Sequence, residues 1–254
     1  MNDGPRLKIL THAFERRDLP VRPGPVEKAV RELWSPDMRQ RLYHPRHWAD
    51  WAHLRRHYDL KEMTVAELKA DFPLGRLPDC ESCDDVCCTG PMRVVLLRVV
   101  DVAAFMDAGL TDHLTLEKPV FNAQELRQNV ALQDLVQSEA WRTLPVLRQD
   151  ETRTCSLLAE DNTCGAWPFW PLSCARFPYS LDLLRGRVFY ADSCRSAVQD
   201  ASRVGRARER GLIEAVVEGY NQRIRDAVLL RVAQRELDAL GLGRFIRWPG
   251  SRRH

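Results

Sequence analysis

The chain has 254 residues, 44% of them hydrophobic and 29% charged, with a formal net charge of +3. That length supports at least one well-buried core, and that composition excludes a disordered or collagenous chain. No run approaches the ~20 apolar residues that a membrane-spanning helix needs. The start, Met1-Asn2-Asp3-Gly4-Pro5-Arg6-Leu7-Lys8, has no apolar stretch of the secretory kind, so the expected compartment is the cytoplasm, without a membrane contact.

Charge is unevenly spread. Residues 1–79 carry 15 Lys/Arg against 12 Asp/Glu, residues 80–194 carry 10 against 16, and residues 195–254 carry 13 against 7. The terminal arginines alternate with acids at helical spacing. Solvated helix faces, or faces offsetting an acidic middle, account for them better than a nucleic-acid surface. Nucleic acid is therefore not expected as a partner, and a protein partner is left open.

In chain order, Pro20, Pro23 and Pro25 punctuate the first segment, and the pattern then predicts helix over 26–58 with a break near Pro45. Trp34, Leu42, Trp48, Trp51 and Leu54 fit its buried face. Thr64 with Glu67 three residues later forms a capping box for a short helix over 64–71. The β-branched run Met92-Arg93-Val94-Val95-Leu96-Leu97-Arg98 predicts a strand. Asp101 suits the N-cap of a helix that ends at Asp107 and is closed by Gly109. A longer helix is predicted over 122–141. Residues 179–184 and 187–192 flank Arg185-Gly186 as a hairpin. The tail over 208–240 is the clearest helix, with Leu212, Ile213, Val216, Val217, Tyr220, Ile224, Val228 and Leu237 at three- and four-residue steps.

The eight cysteines decide the class. Cys80, Cys83, Cys87 and Cys88 form one group; Cys155, Cys164, Cys174 and Cys194 form a second. In a reducing compartment such a set is metal-binding or catalytic more often than disulfide-bonded. The C-x2-C of Cys80 and Cys83 lets two sulfurs converge on one centre, as tetrahedral zinc demands and an iron–sulfur cluster accepts. The vicinal pair Cys87-Cys88 diverges, so one of the two serves another corner or a second site. One cluster with spare thiols and two four-thiolate centres both satisfy the count. Trp167, Phe169, Trp170, Leu172 and Phe177 are placed to exclude water, and Arg176 and Arg195 to offset thiolate charge; an ordinary core explains the aromatics equally well, and a surface role is the plainer account of the arginines.

Cys80-x2-Cys83-x3-Cys87-Cys88 resembles the opening of the YkgJ-type cysteine-cluster family, described as a zinc- or iron-chelating CxxCxxCC domain. In that family a strand and an aspartate-capped helix follow, as Val94, Leu97 and Asp101 do here. The later segment, Cys155-Ser156-Leu157-Leu158 and then Cys164-Gly165-Ala166-Trp167-Pro168-Phe169-Trp170-Pro171-Leu172-Ser173-Cys174-Ala175-Arg176-Phe177-Pro178, matches the family pattern at its cysteines, Pro171, Phe177 and Pro178. It departs at Trp167, Trp170 and Ala175, and the first group is one residue longer before its vicinal pair. The likeness covers roughly residues 80–195. It implies iron–sulfur or zinc binding. Flagellin lysine N-methylases carry a similar cysteine pattern, which brings in a protein-methylating enzyme as a further alternative.

Other signals have plainer explanations. His53 and His57 lie four apart, but no Glu follows His53, so the zincin pattern fails and an exposed face explains them. Gly241-Leu242-Gly243 is a helix stop rather than a dinucleotide fingerprint, since Ile246 stands at the third glycine position. Asp84 and Asp85 read as loop polarity.

The expected fold is α+β and mainly α-helical, with an irregular cysteine-rich metal-binding core carrying a short strand and a hairpin. Helices at both ends wrap it. Its expected parts are a helical extension over 1–79, a cysteine-cluster domain over 80–195 and a helical segment over 196–254. The expected cofactor is an iron–sulfur cluster of the 4Fe–4S type, alternatively zinc. Cys80, Cys83, Cys87, Cys88, Cys164 and Cys174 are the leading ligands, followed by Cys155 and Cys194. No catalytic residue stands out.

Overall fold

Proline sets where the N-terminal helices begin. The computed structural model describes residues 22–57, 60–70, 76–78, 88–89, 95–116, 145–160, 164–166, 169–182, 187–190, 194, 198–200 and 206–246. Pro25 opens the helix Pro25–Leu33 and Pro36 opens Pro36–Arg41, where a missing N–H costs no intrahelical bond. Ser35 caps the second by accepting from the Met38 N–H at 3.2 Å. The turn Pro45–His47 and the helix Trp48–His57 follow. The expected helix over 26–58 thus has a second break before Pro36, because a residue preceding proline is driven out of the helical region. Leu42 and Leu54 are buried as expected, and Trp34 and Trp51 partly so, but Trp48 is 68% exposed.

The chain divides into two compact units woven from interleaved segments. One comprises Pro23–Met63, Leu96–Val146 and Tyr220–His254; the other comprises Met1–Arg22, Thr64–Val95 and Leu147–Gly219. The described residues are mainly helical, and their strands are two to four residues long. None of their helices is long and apolar enough to cross a membrane.

In the first unit, Met38, Leu42 and Leu54 pack against Ala227, Val228, Leu229, Val232 and Ala233. Those last residues belong to Arg206–Val232 and its end, where the expected tail helix breaks at Ala233 before the short helix Gln234–Ala239. Gly241, in the left-handed region at φ 79°, closes the tail as its sequence predicts. The helix Val99–Asp107 starts earlier than an Asp101 cap would place it. Asp101 stands inside its first turn, where its carboxylate accepts from the Arg98 N–H at 2.8 Å. Gly109 closes this helix at φ 72°. The described part of the preceding run, residues 95–98, shows a bridge from Leu96 to Val146 and a bond from the Leu97 N–H to the Pro145 carbonyl at 3.0 Å. Residues 92–94 and the helix expected over 122–141 lie outside the described residues.

At the end of the Val99 helix, Asp107 accepts from the N–H groups of Val26 (3.1 Å) and Glu27 (2.9 Å). It thereby satisfies two donors that the Pro25 helix leaves open, since the N-cap there is Gly24, which has no side chain. The approach is so close that a Cβ on Gly24 would overlap the Asp107 carboxyl group.

The charged tail is not simply a solvated face. Arg223, Asp226 and Arg231 are buried. Arg231 donates to the Ala227 carbonyl at 2.6 Å and lies 3.7 Å from Asp50. Asp226, 1% exposed, accepts from the Val99 N–H at 3.4 Å, and the Arg98 guanidinium is 3.9 Å away. Burial raises its pKa to about 7; Arg98 and the Val99 N–H oppose this without cancelling it, since both contacts are long, and Asp101 adds to the rise.

The second unit is built on short ladders. Lys69–Ala70 runs parallel to Arg187–Tyr190, which pairs antiparallel with Tyr179–Asp182 in the register Tyr179 to Tyr190 through Asp182 to Arg187. The hairpin pairing matches expectation, and its tip at Arg185-Gly186 lies outside the described residues. Leu181 and Val188 face each other in that register and are both buried. The Thr64 helix shrinks to one turn, Val65–Glu67. The Glu67 carboxylate still accepts from the Thr64 N–H at 2.8 Å, but the chain leaves as a strand.

Two outcomes follow for the helical unit. Asp107→Ala should cost about 1 kcal/mol in urea unfolding by orphaning two helix donors, and Gly24→Ala should cost at least as much by forcing the carboxylate aside. Asp226 is ionised above pH ~4 in the unfolded chain but keeps its proton to about pH 7 in the fold. Its contribution to stability is therefore full below pH ~4, falls as pH rises towards 7 by roughly 4 kcal/mol, and is level above that. Asp226→Asn, neutral throughout, should remove this fall, which urea midpoints of both proteins at pH 5, 6, 7 and 8 would measure.

Candidate metal centre

The segments that carry the two cysteine groups, Thr64–Val95 and Leu147–Gly219, belong to the same unit. Two contacts stitch them together. The strand Arg76–Pro78, just before Cys80, pairs antiparallel with Val198–Asp200, just after Cys194, with Pro78 opposite Val198. Further in, the Cys155 N–H donates to the Cys88 carbonyl at 2.8 Å, so one cysteine of each group meets the other through the backbone.

A built turn presents Cys155. The Asp150 carboxylate accepts from the N–H groups of Thr154 (2.8 Å) and Thr152 (2.9 Å) and from the Thr152 hydroxyl (2.7 Å). These bonds, the Thr154 N–H foremost, hold its carboxyl below the usual range. Arg153 takes a left-handed φ of 64° at the tip, and the Asp150 N–H donates to the Thr154 carbonyl at 2.9 Å. The strap then bridges Gln149 to Cys155 and Leu158 to Cys164, with the Gly165 N–H donating to the Leu157 carbonyl at 2.7 Å. Along it Cys155, Leu157 and Ala166 are buried, as is Trp170 beyond. Burial pushes the Cys155 thiol up, a rise that the Leu157 N–H moderates.

Cys174 lies on the one-turn helix Leu172–Ala175, which opens at Pro171, and Arg176 caps that helix at its end. The Arg176 stem runs along the long helix, its Cδ 3.3 Å from where a Gly219 Cβ would stand. A Cβ at position 219 would press lightly on that stem, which a small shift of the arginine side chain would relieve. Cys88, Cys164, Cys174 and Cys194 are half-buried. Cys80, Cys83 and Cys87 lie outside the described residues, as do Trp167 and Arg195, and the side chains of His53 and His57.

Among the described residues, no three Cys, His, Asp or Glu side chains gather closely enough to hold a metal ion. The backbone therefore unites Cys88 with Cys155, and the described side chains do not complete a ligand shell. The donor chemistry itself is specific. Every cysteine of the chain lies in segments of this unit, and thiols select zinc or iron–sulfur rather than magnesium or calcium. The Asp150 turn escaped the sequence reading, although Asp150-Glu151-Thr152-Arg153-Thr154 carries the side-chain-to-backbone signature of such a turn. The role of Gly219 had no local signal.

What fold and site define together is a mainly helical protein with a thiol-bearing unit. In comparisons with protein families, curated proteins and solved structures, nothing matches the chain.

Iodoacetamide applied to the reduced, metal-free protein should label Cys155 more slowly than Cys194. Asp150→Ala, by opening the turn, should speed Cys155 several-fold and leave Cys194 unchanged. Peptide mass spectrometry over a time course reads both rates, and equal rates in the parent protein would remove the sheltered role of Cys155.

Proposed function

We propose that the protein holds an iron–sulfur cluster of the 4Fe–4S type through its cysteines and serves a redox or accessory role. The observation that carries this reading is the stitching of the two cysteine segments, by the Pro78 to Val198 ladder and the Cys155 to Cys88 bond. Backbone already closed in this way lowers the entropy lost when distant thiols take up one group. Support also comes from the resemblance of residues 80–195 to the YkgJ-type family.

Cys80, Cys83, Cys87, Cys88, Cys164 and Cys174 would hold the cluster, with Cys155 and Cys194 as further ligands. Such a group supplies one-electron transfer when bound. The chain's own part is to gather thiols, shed their protons and keep out water. Cys155 carries a proton to be released on ligation, since its burial favours the neutral thiol. Leu157, Ala166 and Trp170 supply apolar cover along the same strap. In this reading the irregular cysteine-rich segments form the protein's metal-binding core and the helices support it.

Protein purified without oxygen should be brown and contain iron and acid-labile sulfide in near-equal amounts. Cys83→Ala and Cys174→Ala should each lower both. Zinc without sulfide would replace this reading with a structural zinc module, and unchanged iron in both variants would overturn the ligand assignment.

A further inference from the structure

We propose that the surface carrying Tyr43, Arg46, Trp48 and Arg55 binds single-stranded nucleic acid. Trp48 is 68% exposed and Tyr43 67%, an unusual outlay of aromatic surface within six residues. Trp48 does not stand alone. Its ring lies 5.2 Å from that of Trp51 at 33°, and the Arg55 guanidinium sits 5.1 Å from the far indole. A cation, an indole and a second indole thus form one row, with the outermost ring open to solvent.

The charges complete the surface. Residues 38–57 hold five arginines and one carboxylate, Asp50. Asp50 is engaged by His47 at 3.2 Å and by the buried Arg231 at 3.7 Å. Arg46 donates to His47 at 3.0 Å, so the imidazole links it to Asp50 and restrains its guanidinium two residues from Trp48. Arg41 is paired with Glu236. Among the described residues, no carboxylate forms an ion pair with Arg46 or Arg55. The alternation of arginines with acids seen along the sequence therefore leaves the guanidinium groups of Arg46 and Arg55 without a directly paired carboxylate among the described residues.

The combination selects the occupant. An acidic peptide could meet the guanidinium groups, but its carboxylates are repelled by the negative faces of Trp48 and Tyr43. A lipid surface calls for a broad apolar helix face, and here the exposed apolar groups are two rings set among charges. A single strand brings both what the rings need, a flat base, and what the arginines need, a phosphate.

The test is fluorescence anisotropy of the full-length protein with a labelled oligouridylate of about 20 nucleotides, at low and moderate salt. Binding should weaken with salt. Trp48→Ala should weaken it roughly tenfold to a hundredfold, and Trp48→Phe much less. Arg46→Ala should weaken it and flatten the salt dependence by about one phosphate contact. Since Trp48 is exposed, these variants should melt like the parent and retain its metal content, which separates this surface from the thiol site. Absence of binding at low salt, or an affinity indifferent to Trp48 and Tyr43, would overturn the proposal. So would equal Trp48-dependent binding to polyglutamate or to anionic phospholipid vesicles.

Discussion

A helix begins with N–H groups that no turn of its own can satisfy, and the helical unit is organised around supplying them. Asp226 offers its carboxylate to the first N–H of the Val99 helix, Asp101 turns back on Arg98 one residue earlier, and Asp107 reaches across to the open donors of the Pro25 helix. The first and last of these bring an acid from one helix to the start of another, so they set which helix starts lie beside which partners. Asp226 is the costly member. It lies wholly inside, its hydrogen bonds are long, and burial outweighs the attraction of Arg98. A carboxyl kept where it is more stable neutral fixes a helix start at the expense of stability near neutral pH.

This dependence also marks how far the sequence could be read. The long tail helix was legible because Leu212, Val216, Tyr220, Ile224 and Val228 repeat at the helical period and all are buried. The hairpin was legible from Arg185-Gly186 between residues 179–184 and 187–192, whose described parts pair as expected, and Gly109 and Gly241 from their positions after helices. Asp101 was correctly seen as a helix-start residue, but the sequence did not distinguish a cap from the third residue of a capping box. What escaped were partners distant in sequence. Asp226 carries no local sign that it meets Val99, and nothing near Asp107 points to Gly24. Trp48 was placed in the core because it shares the spacing of Trp51 and Leu54, yet a short helix buries only one stripe and Trp48 lies off it.

The thiol unit was legible only as residue type. Eight cysteines in two groups raise the expectation of soft-metal chemistry with no need for secondary structure. The sequence could not show how segments so far apart are brought into one unit. The ladder at Pro78 and Val198 and the bond between Cys155 and Cys88 do this through backbone groups, which leave no trace in residue identity. Interleaved units follow from the same fact, since each is assembled from three stretches of chain.

Backbone closure has a further consequence for the cysteines. Thiolates held close together repel one another and resist burial, so under the proposed reading a thiol-rich site would draw its stability from the surrounding frame rather than from its ligands. The described part of this unit meets that demand with uncharged or compensated elements: the Asp150 turn saturated by its own threonines, the Leu181 and Val188 pair, and the stem of Arg176 against Gly219. Cys155 fits the same logic. Within such a frame it is sheltered as a neutral thiol, its N–H already committed to Cys88, so its position is fixed by the backbone.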